Sequence, residues 1–388
     1  MITNLFEMYF HTNLSYQPVH GIDNKYLTPS HVKDFYASLS NDFTLNNIGY
    51  SVNQNPITSI TWGHGKVKVL FWSQMHGNES TSTKALIDFL HFLNTNSVDD
   101  WKSYFKFLVI PILNPDGAIA YTRENANQVD LNRDFIQFSQ PESRLLQQVY
   151  KEFQPDWCGN LHDQRTIFGV GDTDKPATIS FLAPSYNDTK EYNETRLKAV
   201  QAIVAMNSKL QKYLSGQIAR FDDGFNPNCA GDHFQSLGTP TILFEAGFFP
   251  NDWHRNITRK YLFLAYHTLF STLYENDLVD NKLEDYLKIP QNKVSFYDFI
   301  CKKVKINYDN SEFITNFAAQ YREVVHEGQV QLVSEVVAIG NVEDRHAHIT
   351  INAEGKNIAF TNYAPLEIGL NNSFELENGI KIQNGLII

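Results

Sequence analysis

Met75-His76-Gly77-Asn78-Glu79 places an imidazole and a carboxylate three residues apart around a glycine. Both side chains can approach one point, and zinc accepts nitrogen and oxygen ligands at roughly 2.0–2.2 Å. Two ligands make an incomplete site. A catalytic zinc keeps three protein ligands and one open position for water, so a third must come from elsewhere. His162 is the candidate, because it ends the apolar run from Trp157 to Leu161. A metal held this way lowers the pKa of bound water and polarises a carbonyl oxygen. A base must then take the proton, and a carboxylate beside the metal can do so. Glu245 suits that role. It directly follows Ile242-Leu243-Phe244, and partial desolvation there raises a carboxyl pKa.

A second group of residues is suited to holding a substrate. Arg123 and the run Val129-Asp130-Leu131-Asn132-Arg133-Asp134-Phe135 put two guanidinium groups and an amide in one loop region. Arginine grips a carboxylate in a planar, bidentate way. In an otherwise acidic chain, paired arginines near a metal point to an anionic end on the substrate.

These side chains need elements to position them. Val67 to Trp72 reads as a buried strand ending just before His76. Ser80-Thr81-Ser82-Thr83 offers hydroxyls suited to capping a helix whose apolar face is Ala85, Leu86, Phe89, Leu90 and Leu93. Ile57 to Trp62, Gly63-His64-Gly65 and Lys66 to Trp72 predict a hairpin, with His64 a solvated turn residue. Phe105 to Ile112 is a second buried strand, ending in Asn114-Pro115-Asp116-Gly117, a turn tetrapeptide. Helices follow at Pro141–Phe153, Glu194–Leu214 and Ile257–Tyr274, and strands at Asp156–Leu161 and Thr239–Phe244. Strands alternating with helices imply an α/β fold whose mixed, mostly parallel sheet carries helices on both faces. His76, Glu79, His162 and Glu245 all lie at or just past strand ends, where open α/β sheets bind ligands.

The character of the chain changes near residue 276. Short apolar runs at Val304–Tyr308, Val330–Ile339, His348–Ile351 and Ile358–Phe360 alternate with Glu-Gly and Asn-Gly turn signals. Residues 1–276 therefore read as the catalytic domain and 277–388 as a small all-β accessory domain. His346 and His348 share one strand face without further ligands, which predicts an exposed face and not a second metal site.

Composition bounds the rest. Lys and Arg number 32 against 43 Asp and Glu, for a net charge of −11, which disfavours nucleic acid as a partner. Cys158, Cys229 and Cys301 are few, odd in number and widely spaced, so no disulfide framework is expected. Met1 to Met8 lacks a basic, then apolar, leader pattern. No run of about 18 apolar residues exists to span a membrane. A cytoplasmic location is the expectation.

Taken in order, His76-Gly-Asn-Glu79, Asn114-Pro-Asp-Gly117, Asp130-Leu-Asn-Arg-Asp-Phe135, Leu161-His162 and Phe244-Glu245 resemble the zinc metallocarboxypeptidase family. The resemblance covers roughly residues 40–275. It implies a sheet of eight strands and one zinc ion per chain, bound by His76, Glu79 and His162. It further implies that Asn132 and Arg133 clamp the substrate's terminal carboxylate and that Arg123 stabilises the oxyanion. Glu245 would be the general base. In that family side-chain preference is set shortly before the catalytic glutamate, here Asn228-Cys229-Ala230-Gly231-Asp232-His233. Asp232 would favour a basic or amino-bearing side chain.

Departures from the digestive members are equally visible. Asn78 stands where they carry arginine, residues 221–235 hold no tyrosine, and Asp163-Gln164 follows His162 in place of a small or aromatic pair. The run from Thr122 to Arg133 is similar to bacterial enzymes that trim murein peptides. The His-Gly-Asn-Glu form is similar to the aspartoacylase and succinylglutamate desuccinylase branch, which hydrolyses N-acyl amino acids. A peptide or acyl-amino-acid substrate with a free carboxylate is the expected partner under either reading. A catalytically silent binding protein on the same fold is the rival. Narrowing the cleft, forming a homo-oligomer and docking a partner are the roles open to the C-terminal domain.

Overall fold

A computed structural model describes residues 16–308, 311–360 and 365–388. The Met1–Met8 stretch lies outside them. The chain divides into two compact units, one running to Gln164 and continuing over Ala177–Asn292, the other made of Arg165–Pro176 and Lys293–Ile388.

The first unit is built on an eight-stranded sheet. Its strands are β1 (Phe43–Tyr50), β2 (Pro56–Trp62), β3 (Val67–Ser73), β4 (Phe105–Ile110), β5 (Trp157–Asp163), β7 (Ile179–Leu182), β8 (Ile218–Arg220) and β9 (Thr241–Ala246), while β6 (Phe168–Val170) lies in the second unit. Their order is β1-β2-β4-β3-β5-β9-β7-β8. β3 pairs in parallel with β4 and β5, β5 with β9, and β7 with β8, whereas β1–β2, β2–β4 and β7–β9 are antiparallel.

The helices are α1 (Lys33–Ser38), α2 (Thr81–Thr95), α3 (Asp99–Tyr104), α4 (Pro115–Ala120), α5 (Pro141–Phe153), α6 (Glu194–Leu210), α7 (Ala230–Ser236), α8 (Asn256–Tyr274) and α9 (Leu283–Lys288). The two-residue period of β3 distributes its side chains to two cores. Val69 and Phe71 join the cluster formed with Leu86, Phe89 and Leu90 of α2 and Phe263, Tyr266 and Phe270 of α8. Leu70 and Trp72 join Leu146 and Val149 of α5 and Phe234 of α7 on the opposite face. Both faces of the strand are thus dry, which is why it reads as a continuous apolar run. Phe71 alone meets the rings of Phe244, Tyr266 and Phe270 at 6.0, 5.9 and 5.5 Å. Truncating such a residue to alanine costs about 3–5 kcal/mol.

Two local expectations are corrected. β2 and β3 do not form a hairpin, because β4 lies between them. The flanking glycines serve close approach: a Cβ on Gly63 would sit 2.3 Å from the Phe105 carbonyl oxygen, and one on Gly65 would sit 1.9 Å from the Tyr104 carbonyl carbon. His64 itself is exposed. Asn114-Pro115-Asp116-Gly117 is not a free-standing turn but the start of α4, where the Asn114 side chain accepts the Gly117 N–H at 2.8 Å. Proline in the first turn and asparagine at the cap are both good helix starters. Among the described residues, no helix is long and apolar enough to cross a membrane.

The second unit is all β. β11 (Phe296–Tyr308), β12 (Ser311–His326), β13 (Gln329–Ile339) and β14 (His346–Asn352) form one sheet in the order β13-β12-β11-β14. A second sheet joins β15 (Ile358–Phe360), β16 (Phe374–Leu376), β17 (Lys381–Gln383) and β18 (Leu386–Ile387), and the short β10 (Asn292–Val294) pairs with β6. Phe299, Phe317, Phe360 and Phe374 meet in one core. His346 is exposed as expected, but His348 is not: it stacks on Phe296 at 4.7 Å and donates to the Thr166 carbonyl at 2.8 Å.

Candidate active site

The end of β3 delivers His76 and Glu79 through a tight bend. Gly77 passes against α4, where an added Cβ would lie 1.9 Å from the Gly117 carbonyl carbon. Ser73 of β3 is in register with Leu161 of β5, so the next residue of β5, His162, emerges beside that bend. His76 Nδ1 lies 2.8 Å from Glu79 Oε1, His162 Nδ1 lies 2.9 Å from Glu79 Oε2, and the two Nδ1 atoms are 3.0 Å apart. The three candidate ligand atoms all fall within 4.8 Å of one another.

This donor set fits zinc. Two imidazole nitrogens and one carboxylate converge on one point, which is the ligand chemistry the ion takes. His76 Nε2 meets Asp130 Oδ1 at 3.0 Å, and such a carboxylate fixes the ring so that its other nitrogen, Nδ1, would be the one to hold an ion. Burial pushes the Glu79 carboxyl upward, but the two imidazoles more than offset it and hold it well below the usual range. Burial pushes His162 down and favours its neutral form, the form that ligates. Asp130 belongs to the site although its role was not singled out from the sequence. Its place in the Asp-Leu-Asn-Arg run was the signal available.

Arg123 joins the same network. It donates through Nε to Asp130 Oδ2 at 3.0 Å and through Nη1 to Glu79 Oε1 at 3.2 Å, and it is partly exposed. Glu245 of β9 is paired directly with His162 of β5 across the sheet, and partners in a parallel ladder present their side chains to the same face. Burial, then the negative charges of Glu79 and Asp163, push the Glu245 carboxyl well above its ordinary value. A carboxyl shifted in that direction is a stronger proton acceptor when ionised.

Asn132 and Arg133 sit on a short 3-10 turn, Leu131–Arg133, capped by the Asp130 side chain accepting the Asn132 N–H at 2.9 Å. Asn132 Oδ1 accepts the Ala230 N–H at 2.9 Å, joining this turn to the start of α7. Arg133 is exposed, with Nη1 donating to the Asn132 carbonyl at 2.7 Å and to Cys229 Sγ at 3.1 Å. Burial pushes the Cys229 thiol up to about 11, so the guanidinium faces a neutral thiol. Asp232 is buried in the first turn of α7 and accepts the Asn226 N–H at 3.1 Å. Burial raises its carboxyl to about 7.

The family profile described as zinc carboxypeptidase, peptidase M14, matches residues 30–228. The chain belongs to the zinc carboxypeptidase family. Zinc is the metal of that family, and the His76–Glu79–His162 group could hold such an ion. A curated relative, the probable carboxypeptidase 2 of Trichophyton verrucosum, is 29% identical over 100 residues, covering 25% of this chain but only 19% of its own length. Among solved structures, the metallo-carboxypeptidase from Burkholderia cenocepacia aligns with TM-score 0.52 and 15% identity over 65% of this chain and 70% of its own. Carboxypeptidase A from Helicoverpa armigera aligns with TM-score 0.52 and 15% identity over 71% of this chain and 81% of its own. At such identities these structures establish the fold: the α/β sheet of eight strands with helices on both faces is that of the carboxypeptidases.

Proposed function

We propose that this family member is a zinc-dependent metallocarboxypeptidase that hydrolyses the C-terminal peptide or isopeptide bond of a substrate with a free carboxylate. The observation that carries the reading is the convergence of His76, Glu79 and His162 on one point, with Glu245 paired to His162 on the adjacent strand. His76, Glu79 and His162 would hold the ion, which when bound supplies Lewis acidity toward a carbonyl oxygen and a more acidic water. Asn132 and Arg133 bind the terminal carboxylate and so align the scissile bond. Arg123 donates to the oxygen on which negative charge develops. Glu245 removes the proton from the attacking water, holds it on its carboxylate, and returns it to the leaving nitrogen. The raised affinity of that carboxylate for a proton matches it to both halves of the transfer.

A murein-derived peptide is the substrate class we favour, on the similarity of the loop from Thr122 to Arg133 to bacterial murein-trimming enzymes. Asp232 fits this choice, because a neutral buried carboxyl ionises when an amino group of the substrate approaches. The His76-Gly-Asn-Glu79 form supports the second reading, a deacylase of N-acyl amino acids. The C-terminal region from residue 277, most of it in the β-rich unit that includes Lys293–Ile388, is proposed as an accessory domain available for self-association, and the three free cysteines suit a reducing cytoplasm.

The test is a screen of purified chain with zinc against a murein tripeptide, ordinary C-terminal dipeptides and N-acetyl-aspartate. Release of the C-terminal residue supports the carboxypeptidase, and release of acetate supports the deacylase. Glu245→Gln should retain zinc and lose turnover by about 10²–10⁴-fold. Turnover that survives this change removes the proposed base, and no turnover of any substrate by the wild type favours the silent binding protein.

A further inference from the structure

We propose that Asp163 is a positioning residue for the metal centre, bracing the two ligand-bearing segments, 79–82 and 162–163, against each other. This rests on the reading of His76, Glu79 and His162 as metal ligands. Asp163 directly follows His162 in β5. Its backbone N–H donates to Glu79 Oε2 at 3.0 Å. Its carboxylate turns the other way and accepts the N–H groups of Thr81 at 2.7 Å and Ser82 at 2.9 Å. Ser82 Oγ completes the tie by donating to the His162 carbonyl at 2.5 Å. Four hydrogen bonds therefore join segments 79–82 and 162–163, which carry two of the proposed ligands and are far apart in sequence.

The reason lies at the start of α2. The first N–H groups of a helix have no partner within it, and the Ser80, Ser82 and Thr83 hydroxyls expected to cap them are engaged elsewhere. Ser80 makes no cap with its side chain; its Oγ donates to the Lys25 carbonyl at 2.6 Å. Thr83 Oγ1 bonds Ser73 Oγ at 2.6 Å. The cap is supplied instead by a carboxylate from β5, whose charge also suits the positive end of the helix. A cap donated from the neighbouring ligand strand fixes where the helix begins, and Glu79 lies just before that point. Withdrawing it frees the Glu79 segment to shift relative to His162 without removing any ligand.

A purely structural cap would stabilise the fold and leave metal affinity alone. The distinguishing measurement is zinc affinity of the full-length chain, read by competition with a chromophoric chelator at fixed pH, next to thermal melts without metal. Asp163→Ala is expected to weaken zinc binding about 10–100-fold, the usual cost of losing a partner that orients a ligand. Asp163→Asn, which keeps one acceptor oxygen, should fall between. Asn193→Ala is the control: it removes a cap of the same kind from α6, where Asn193 Oδ1 accepts the Arg196 N–H at 2.9 Å, and it should leave zinc affinity within twofold. If Asp163→Ala does not fold, Ser82→Ala severs the remaining tie to the His162 carbonyl and should weaken zinc severalfold. Zinc affinity within twofold of wild type in Asp163→Ala, or in Ser82→Ala where only that variant folds, overturns the brace. So does an equal loss in Asn193→Ala. A wild-type chain that binds no zinc overturns the metal reading itself, and the brace with it.

Discussion

The proposed metal group and the proposed carboxylate clamp are held in opposite ways. His76, Glu79 and His162 emerge at the ends of two paired, largely buried strands, and their side chains are 1%, 12% and 3% exposed. Arg133 is exposed on a three-residue turn, and among the described residues its guanidinium donates to a main-chain carbonyl and a thiol. The turn is steadied from below. Asp134 accepts the Ser139 and Gln140 N–H groups at 2.8 and 2.9 Å, and Asn125 bridges Gln140 and Glu142 at 2.9 and 3.1 Å. The ion needs ligands preset to within tenths of an ångström, whereas the clamp needs an arginine whose charge stays unsatisfied until a carboxylate arrives. Rigidity is placed at the proposed metal group, and spare hydrogen-bonding capacity at the proposed clamp.

The largest expected effect breaks the rigid half. His162→Ala removes one of three ligands, and several kcal/mol of charge stabilisation depart with the metal. At about 1.4 kcal/mol per tenfold, turnover should fall roughly 10³-fold or more, and dialysed protein should retain no zinc by atomic absorption. Retained zinc with near-normal turnover would mean that a different group holds the ion. A smaller effect separates the halves. Arg133→Ala should raise KM about 10–100-fold, the value of one charge-assisted contact, with kcat within a few-fold and zinc content unchanged. An amidated substrate should show little difference between the two proteins. Loss of zinc in Arg133→Ala would show that clamp and metal group are one cooperative structure.

The rigid half was also the more legible. Buried parallel strands are continuous apolar runs, so their ends can be read directly, and His162 and Glu245 stand at two of them. The errors share a cause. Gly63 and Gly65 look like a hairpin turn, but their purpose is room for the β4 backbone, and a glycine serving close approach has the same letter as one serving a turn. Ser80 looks like a cap, yet its hydroxyl is spent on the Lys25 carbonyl. β12 was not anticipated, because polar residues interrupt its apolar positions along sixteen residues. Asp130 is marked only by its place in the Asp-Leu-Asn-Arg run, its partner lying 54 residues away, and nothing local marks Asp163, whose partner lies 82 residues away.

Asp232 gives the smallest effect and sharpens the comparison from the specificity side. Its carboxyl is raised to about 7 by burial, against about 3.9 in an unfolded chain. Between those values the native state holds a proton that the unfolded state has released, so stability falls as pH rises from about 4 to about 7. Asp232→Asn removes this slope. Relative to the variant, wild type should lose at most about 2 kcal/mol between pH 5 and pH 7, read by urea unfolding at each pH. Above pH 7 the two curves should run parallel. An amino-bearing substrate that pairs with Asp232 would lower its pKa and flatten the slope in the complex, whereas a substrate with an apolar side chain would leave it. A slope that is identical in wild type and variant places the titrating group elsewhere and leaves Asp232 as the acceptor that shapes the 226–229 turn.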